Sequence, residues 1–465
     1  MTVDALSQFR QALGDAKVHT DDATRAARRH DYWMVSHLRD RLGAPAPAPA
    51  AVIRPTCVED VQTAVRIAAA TRTPLIPFGL GSGVVGGVIA AANAIVLDMG
   101  AMNAVRFIDR NNLLASFDAG VNGLTAEETV AAQGLTIGHW PQSVGVSSVG
   151  GWIATRASGQ FSTSYGNIED IVYAIEAVLP DASVVTLGKG PRASAGPDLR
   201  HLMLGSEGAF GVITGVTLSL RRAAEARVCT AFAAPDMAAG FEFQREIVQR
   251  GWRPPVMRQY DERESRRLHD AARACTIIMV HEGPAPLVAA ETAALGALAA
   301  ARGFSALDPV ITSHWLDHRN HVNSWEQIFS RNIVADTVEV SATWDRIGPI
   351  YAAALAGLAK IEGCRAASAH SSHVYRSGIN LYFTFAIERA DTASMEDAYF
   401  SAWRAIMRAT ADGGGSLSHH HGIGRVRRDF LEAELSAQGV ALLRTLKSAI
   451  DPAGVMNPGA LLPDA

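Results

Sequence analysis

Along residues 52–222, short apolar runs such as 73–77 and 94–98 alternate with stretches whose apolar positions recur every three or four residues, such as 58–70 and 124–133. The first pattern predicts strands and the second predicts helices; in 124–133 the apolar face is Leu124, Val130 and Ala131. Residues 223–410 carry longer helical patterns at 237–250, 285–302 and 344–362, with strand patterns at 256–260, 276–280 and 379–387. Leu381, Phe383 and Phe385 alternate with Asn380, Tyr382 and Thr384, which predicts one core face and one polar face free to line a cavity. Strands mixed with long helices in this way suit a ferredoxin-like sheet with helices on one side. Residues 1–43 have a polar, helical pattern, and the Ala/Pro run 44–51 that follows is a stiff extended linker, so a boundary is expected there. A last helix is expected at 430–450. The expected units are 1–43, 44–222, 223–410 and 411–465.

With 465 residues, two or three domains are expected. An apolar content of 48% and a formal charge of −4 describe an ordinary globular chain with no basic excess for nucleic acid. The first ten residues lack an apolar signal core, and no uncharged apolar run reaches the roughly 18 residues of a membrane span. A cytoplasmic location is expected. Cys57, Cys229, Cys275 and Cys364 are scattered without metal or redox spacing, so they are expected to be reduced thiols, with neither disulfide nor zinc.

The richest chemistry lies at 77–87, Pro-Phe-Gly-Leu-Gly-Ser-Gly-Val-Val-Gly-Gly, a glycine turn directly after a strand. Glycine lets successive backbone N–H groups converge on an anion, and Ser82 adds a hydroxyl. A Rossmann dinucleotide site fails on context, because no long helix follows the glycines; the chain runs almost at once into another strand at 94–98. Further motifs stand at 148–159, 165–170, 204–214, 418–424 and 451–459, the fourth holding His419, His420 and His421 among glycines. In this order and at these separations the set resembles the FAD-linked oxidases of the vanillyl-alcohol oxidase and p-cresol methylhydroxylase superfamily, from about Asp31 to the C-terminus.

The resemblance implies an α+β fold: a two-subdomain FAD-binding domain of the p-cresol methylhydroxylase type, a ferredoxin-like cap over the flavin, and a C-terminal segment that returns to the FAD site. It places Pro77, Gly79, Gly81, Ser82, Gly83 and Val84, with Pro141, Ser143, Ser148, Gly150, Gly151, Ala154 and Thr155, around the FAD pyrophosphate and the edge of the isoalloxazine. Glu207, Gly211 and Ile213 fall in the segment toward ribose and adenine, and Asn457 in the returning C-terminal motif. Taken singly, each glycine is as well explained by an ordinary turn. The first glycine loop contains no histidine, so FAD is expected to be non-covalent.

The histidine triplet is the first catalytic candidate, since imidazole can take a proton at neutral pH. A metal-binding tract or a structural cluster are the alternatives. On an extended segment His419 and His421 would face one way and His420 the other. Related D-2-hydroxy-acid dehydrogenases carry His-Val-Gly-Asp-Gly-Asn-Leu-His and Glu-His-Gly; here only His373 and Asn380 stand in the first motif, Tyr382 replaces its last histidine, and the second motif has become His420-His421-Gly422. No metal site is therefore expected. These departures resemble alkylglycerone-phosphate synthase, in which the tyrosine and the triplet are active-site residues and an arginine matches Arg258. Arg258 among apolar neighbours needs an anionic partner, either a substrate phosphate or carboxylate or a structural acid; Arg331 is a weaker case. The first expectation is an FAD-dependent oxidoreductase acting on a hydroxyl-bearing anionic small molecule, in a homodimer. The alternative is a synthase-like transferase exchanging acyl for alkyl, and a flavin binder without catalysis is a third class.

Overall fold

The computed structural model describes residues 3–269, 275–321, 324–391 and 393–463. Its first sheet is made of short strands whose apolar residues are buried on both faces: Ala51–Ile53, Ile95–Asp98 and Leu75–Phe78 lie side by side and parallel. Parallel strands need a crossover, and helix Val58–Thr71 supplies it, packing Val61, Ala64, Val65 and Ala68 inward. The N-terminal stretch is helical at Val3–Leu13 and Met34–Arg41, but it does not stand apart. Val18–His19 pairs antiparallel with Ala51–Ile53, and Phe9 and Val18 join the core of this sheet, so the expected boundary at residue 44 is bridged by backbone pairing and shared burial.

A second, antiparallel sheet follows, in the order Val105–Asp109, Leu114–Asp118, Val212–Ser219, Val172–Val178, Val184–Leu187. The helix expected at 124–133 forms at Gly123–Ala131, but its buried face is Ala126, Glu127 and Val130, while Ala131 is exposed. Glu127 turns inward because its carboxylate accepts from the Ile137 N–H at 2.9 Å, a demand that apolar periodicity does not reveal.

The cap is a seven-stranded antiparallel sheet: Ser305–Leu307, Ala226–Ala234, Cys275–Gly283, Val256–Tyr260, Cys364–Ser371, Gly378–Glu388, Ile333–Thr343. Helices Met237–Gln249, Ala285–Ala301, Trp344–Ala359 and Ala393–Asp412 cover one face and bury Leu381, Phe383 and Phe385 beneath them, as the alternation predicts. Helix Val310–His318 and the FAD-binding half take the other face, where Trp315 packs against Phe161, Val256 and Val280. That helix has no strong sequence pattern. Helix Leu431–Ile450 leads back to the first half, where Met456 pairs with Leu75. Among the described residues no helix is long and apolar enough to cross a membrane.

Candidate active site

Strand Leu75–Phe78 ends in the glycine loop because Gly81 takes φ +76° and a Cβ there would lie 2.6 Å from the Phe78 ring. The backbone N–H groups of residues 80–84 donate to no acceptor among the described residues. Five consecutive unpaired amides beside the Ser82 hydroxyl fit a diphosphate. The loop presses on the second expected segment: a Cβ at Gly79 would stand 2.5 Å from Ser148 Oγ, and Ser148 caps helix Val149–Thr155 by accepting from the Gly151 N–H at 3.2 Å. Pro141 and Ser143 carry successive turns just before it, accepting from Val144 and Val146.

Other residues expected at the cofactor are occupied by the protein itself. Gly150 packs on Ala119, Thr155 donates its hydroxyl to the Gly151 carbonyl, and Ala154 accepts from the Glu207 N–H. Gly211 and Ile213 open strand Val212–Ser219, where Ile213 pairs with Ala177, and Pro77 packs against Gly208. Val84 leans on the cap core. The Glu207 carboxylate accepts from the N–H groups of Ile423 and Gly424, and Asn457 donates to the carbonyls of Gly87 and Glu207 at 2.9 and 2.6 Å. Glu207 and Asn457 thus tie the glycine loop to the returning C-terminal segment. Asp31 completes this clasp, accepting from the N–H groups of Trp33 and Val88. Burial pushes the Asp31 and Glu207 carboxyls up to about 7.

The histidines sit in a run of bends, so strand alternation does not apply and the expected partition is corrected. His419 and His420 share one cluster, with Nδ1 to Nδ1 at 2.7 Å, while His421 turns to Glu339, its Nδ1 2.8 Å from Oε2. His420 Nε2 lies 2.5 Å from the Tyr382 hydroxyl, and His419 Nε2 lies 2.6 Å from the Tyr375 hydroxyl. Tyr382 stacks on His370 with centroids 4.8 Å apart. The Asn380 Oδ1 bonds backbone rather than a histidine ring: it accepts from the N–H groups of Ser372 and His373 and so shapes the turn before the strand. Burial holds His419 down at about 4 and His420 well below its ordinary value, so both imidazoles are neutral at pH 7. Burial likewise raises the Tyr382 hydroxyl.

Beneath the cluster Glu339 and Arg427 are both fully buried and paired at 2.5 Å. Burial opposes the Glu339 charge, but Arg427 and His421 outweigh it and hold the carboxyl well below the carboxylate range. Glu339 also accepts from the N–H groups of His420 and His421, fixing the bend. His373, His419 and His420 lie within 4.8 Å of one another, close enough for a metal. Most of their nitrogens have partners within the protein: His373 Nδ1 meets Ser158 and Ser162, and both nitrogens of the other two are shared with each other and the two tyrosines. Sequence reasoning passed over Tyr375, Glu339 and Arg427. The signals were present, since Tyr375 stands two residues after His373 and Glu339 is the one acid in the apolar run Val338-Glu339-Val340.

Arg258 lies on strand Val256–Tyr260, buried, donating to the Tyr260 hydroxyl at 3.1 Å with its guanidinium 5.2 Å from the Trp315 ring centre. Among the described residues no carboxylate forms an ion pair with it, so the structural-acid alternative finds no partner. Arg331 is exposed on a turn and falls outside the site. Two polar residues near Trp140 escaped notice: His139, fully buried with neither ring nitrogen bonded and pushed down to about 3 by burial, and Arg319, over the rings of Trp140 and Phe161.

Residues 49–188 match the family described as FAD binding domain, and residues 223–461 match FAD linked oxidases, C-terminal domain. The chain is 34% identical over 477 residues to the "Uncharacterized FAD-linked oxidoreductase YgcU" of Escherichia coli, covering 98% of each. It is 28% identical over 461 residues to the alkyldihydroxyacetonephosphate synthase of Dictyostelium discoideum, covering 92% of this chain and 75% of the relative. A solved alkyldihydroxyacetonephosphate synthase superposes with a TM-score of 0.83 at 25% identity, over 98% of this chain and 86% of the other. The fold is the p-cresol methylhydroxylase type. With both halves of the chain matched, the protein is an FAD-binding enzyme and belongs to the FAD-linked oxidases.

Proposed function

We propose that the protein oxidises a hydroxyl-bearing small molecule with an anionic end. The observation that carries this reading is the pairing of the Tyr382 hydroxyl with His420 Nε2 at 2.5 Å on the same sheet face as Arg258, a buried cation without an ion-paired acid among the described residues. Arg258 binds the substrate phosphate or carboxylate through its planar donors. Tyr382 takes the substrate hydroxyl proton while passing its own to His420, whose burial keeps it neutral and able to accept. Bound FAD, held non-covalently by the 77–87 loop and the 141–155 segment, supplies the hydride acceptor. The cap and the FAD-binding half exclude water around Trp140, Phe161 and Trp315. All four cysteines are free thiols, which suits a cytoplasmic setting.

The test is to mix the yellow protein, without oxygen, with a panel of hydroxy acids and phosphorylated alcohols. Bleaching of the flavin supports the proposal. The second reading, exchange of acyl for alkyl on a phosphorylated ketone ester, is favoured by the likeness to the synthases and by Tyr382, the triplet and Arg258 standing where the resemblance places that family's residues. It takes precedence if no hydroxylated substrate bleaches the flavin while exchange is detected.

A further inference from the structure

The chain of hydrogen bonds that starts at Tyr382 does not end at His420. It continues from His420 Nδ1 to His419 Nδ1 at 2.7 Å and from His419 Nε2 to the Tyr375 hydroxyl at 2.6 Å. Tyr375 is the last member, and it lines a cleft of about 350 Å³ between the two halves of the protein, together with Asn167, Ser162, Arg253 and Arg376. Arg253 and Arg376 are exposed, so the cleft opens to solvent. The Tyr375 hydroxyl reaches Asn167 there, accepting from Nδ2 at 3.1 Å.

A neutral imidazole has one donor nitrogen and one acceptor nitrogen. Each of these two histidines uses both nitrogens within the chain, so only two arrangements of hydrogens satisfy it. In one, Tyr382 donates to His420 Nε2, His420 Nδ1–H donates to His419 Nδ1, and His419 Nε2–H donates to Tyr375. In the other every bond points the opposite way. Interconversion of these two arrangements carries one proton from end to end without charging either ring.

We propose that Tyr382, His420, His419 and Tyr375 form a proton relay that delivers the substrate hydroxyl proton to water in the cleft lined by Tyr375. The proposal rests on the reading of Tyr382 as the group that takes that proton. As the O–H bond of the substrate breaks, Tyr382 gains that proton and gives its own to His420 Nε2. His420 gives its Nδ1 proton to His419 Nδ1, His419 gives its Nε2 proton to the Tyr375 oxygen, and Tyr375 gives its phenol proton to water. Each member ends with as many protons as it began, and no electron moves along the chain. The deep burial of both imidazoles favours the neutral forms that this requires. His373 stacks on His419 with centroids 4.8 Å apart, and is itself held by Ser158 and Ser162, which keeps the rings in register.

Tyr375 is a relay residue and does not touch the substrate. Tyr375→Phe removes one hydroxyl and keeps the ring, so it should lower the anaerobic flavin-reduction rate about tenfold to a hundredfold with KM unchanged. In Tyr375→Ala, added imidazole entering the cleft should restore much of the rate. A wild-type rate in Tyr375→Phe overturns the relay, and so does a slow Tyr375→Ala that imidazole does not restore. A second measurement needs no substrate: nitrogen NMR of protein labelled in its histidine rings. It should show one protonated and one bare nitrogen on both His419 and His420 at pH 7. Tyr375→Phe should shift the His420 nitrogens, which do not touch Tyr375, as well as those of His419. If no substrate bleaches the wild-type flavin but these shifts propagate, the oxidoreductase reading fails while the coupled hydrogen-bond chain through the two histidines stands. A change confined to His419 overturns the relay.

Discussion

Glu339 determines where the histidines point. Its carboxylate accepts from the backbone of His420 and His421, pairs with the buried Arg427, and draws His421 aside, leaving His419 and His420 to meet each other. A carboxylate removed from a buried pair leaves its partner charge uncompensated, a loss of about 3–5 kcal/mol. Glu339→Gln is therefore expected to lower the denaturant midpoint sharply, and a double variant that also replaces Arg427 by Met should recover part of that loss. Equal midpoints for the single variant and the wild type would show that the pair is dispensable. Arg258 makes the complementary case of a buried cation with no ion-paired acid among the described residues. Arg258→Lys keeps the charge but loses the planar fork, so KM for the anionic substrate should rise with thermal stability nearly unchanged. An unchanged KM with a lower Tm would assign Arg258 to the scaffold.

The elements divide into those that declare themselves along the chain and those that depend on distant partners. Strand Val256–Tyr260 was legible to the residue, and three of the four long cap helices to within a few positions, because each is a local pattern; the fourth, Ala393–Asp412, was not expected. The glycine turn was legible because its own backbone sets it. Gly81→Val places a β-branched side chain at φ +76° against Phe78, so the purified variant should lack the flavin absorbance that FAD reconstitution gives the wild type. A variant that takes up FAD as the wild type does would remove the loop from the cofactor site. Three further features were not legible. The triplet lies in bends held by Glu339, some 80 residues earlier in the chain, so alternation misassigned His420. The ties that the Glu207 carboxylate and Asn457 Nδ2 make to loop backbones depend on segments that only the folded chain brings near. Helix Val310–His318 owes its place to Trp315, whose neighbours come from both halves.

At the scale of the molecule, the N-terminal stretch, the glycine loop and the C-terminal segment meet at Asp31 and Glu207. Both carboxyls are raised by burial to about 7, from ordinary values of 3.8 and 4.5. Between about pH 4 and 7 the folded protein then binds more protons than the unfolded chain, so this part of its stability is complete below pH 4 and is lost as pH rises through 7. Denaturant midpoints of the FAD-free protein should fall over that window, and Asp31→Asn with Glu207→Gln should flatten the slope. A slope unchanged in the double variant would exclude these two groups as its source.

The proposed function has Tyr382 and His420 act on the substrate proton when FAD is bound. Its most direct test is the rate of anaerobic flavin reduction in Tyr382→Phe and His420→Ala, each first shown to retain FAD. Loss of a positioned acid–base group costs about a hundredfold to ten-thousandfold, and a fall of that size in both variants, with His421→Ala milder, is the predicted result. Wild-type reduction rates in both variants would contradict the account.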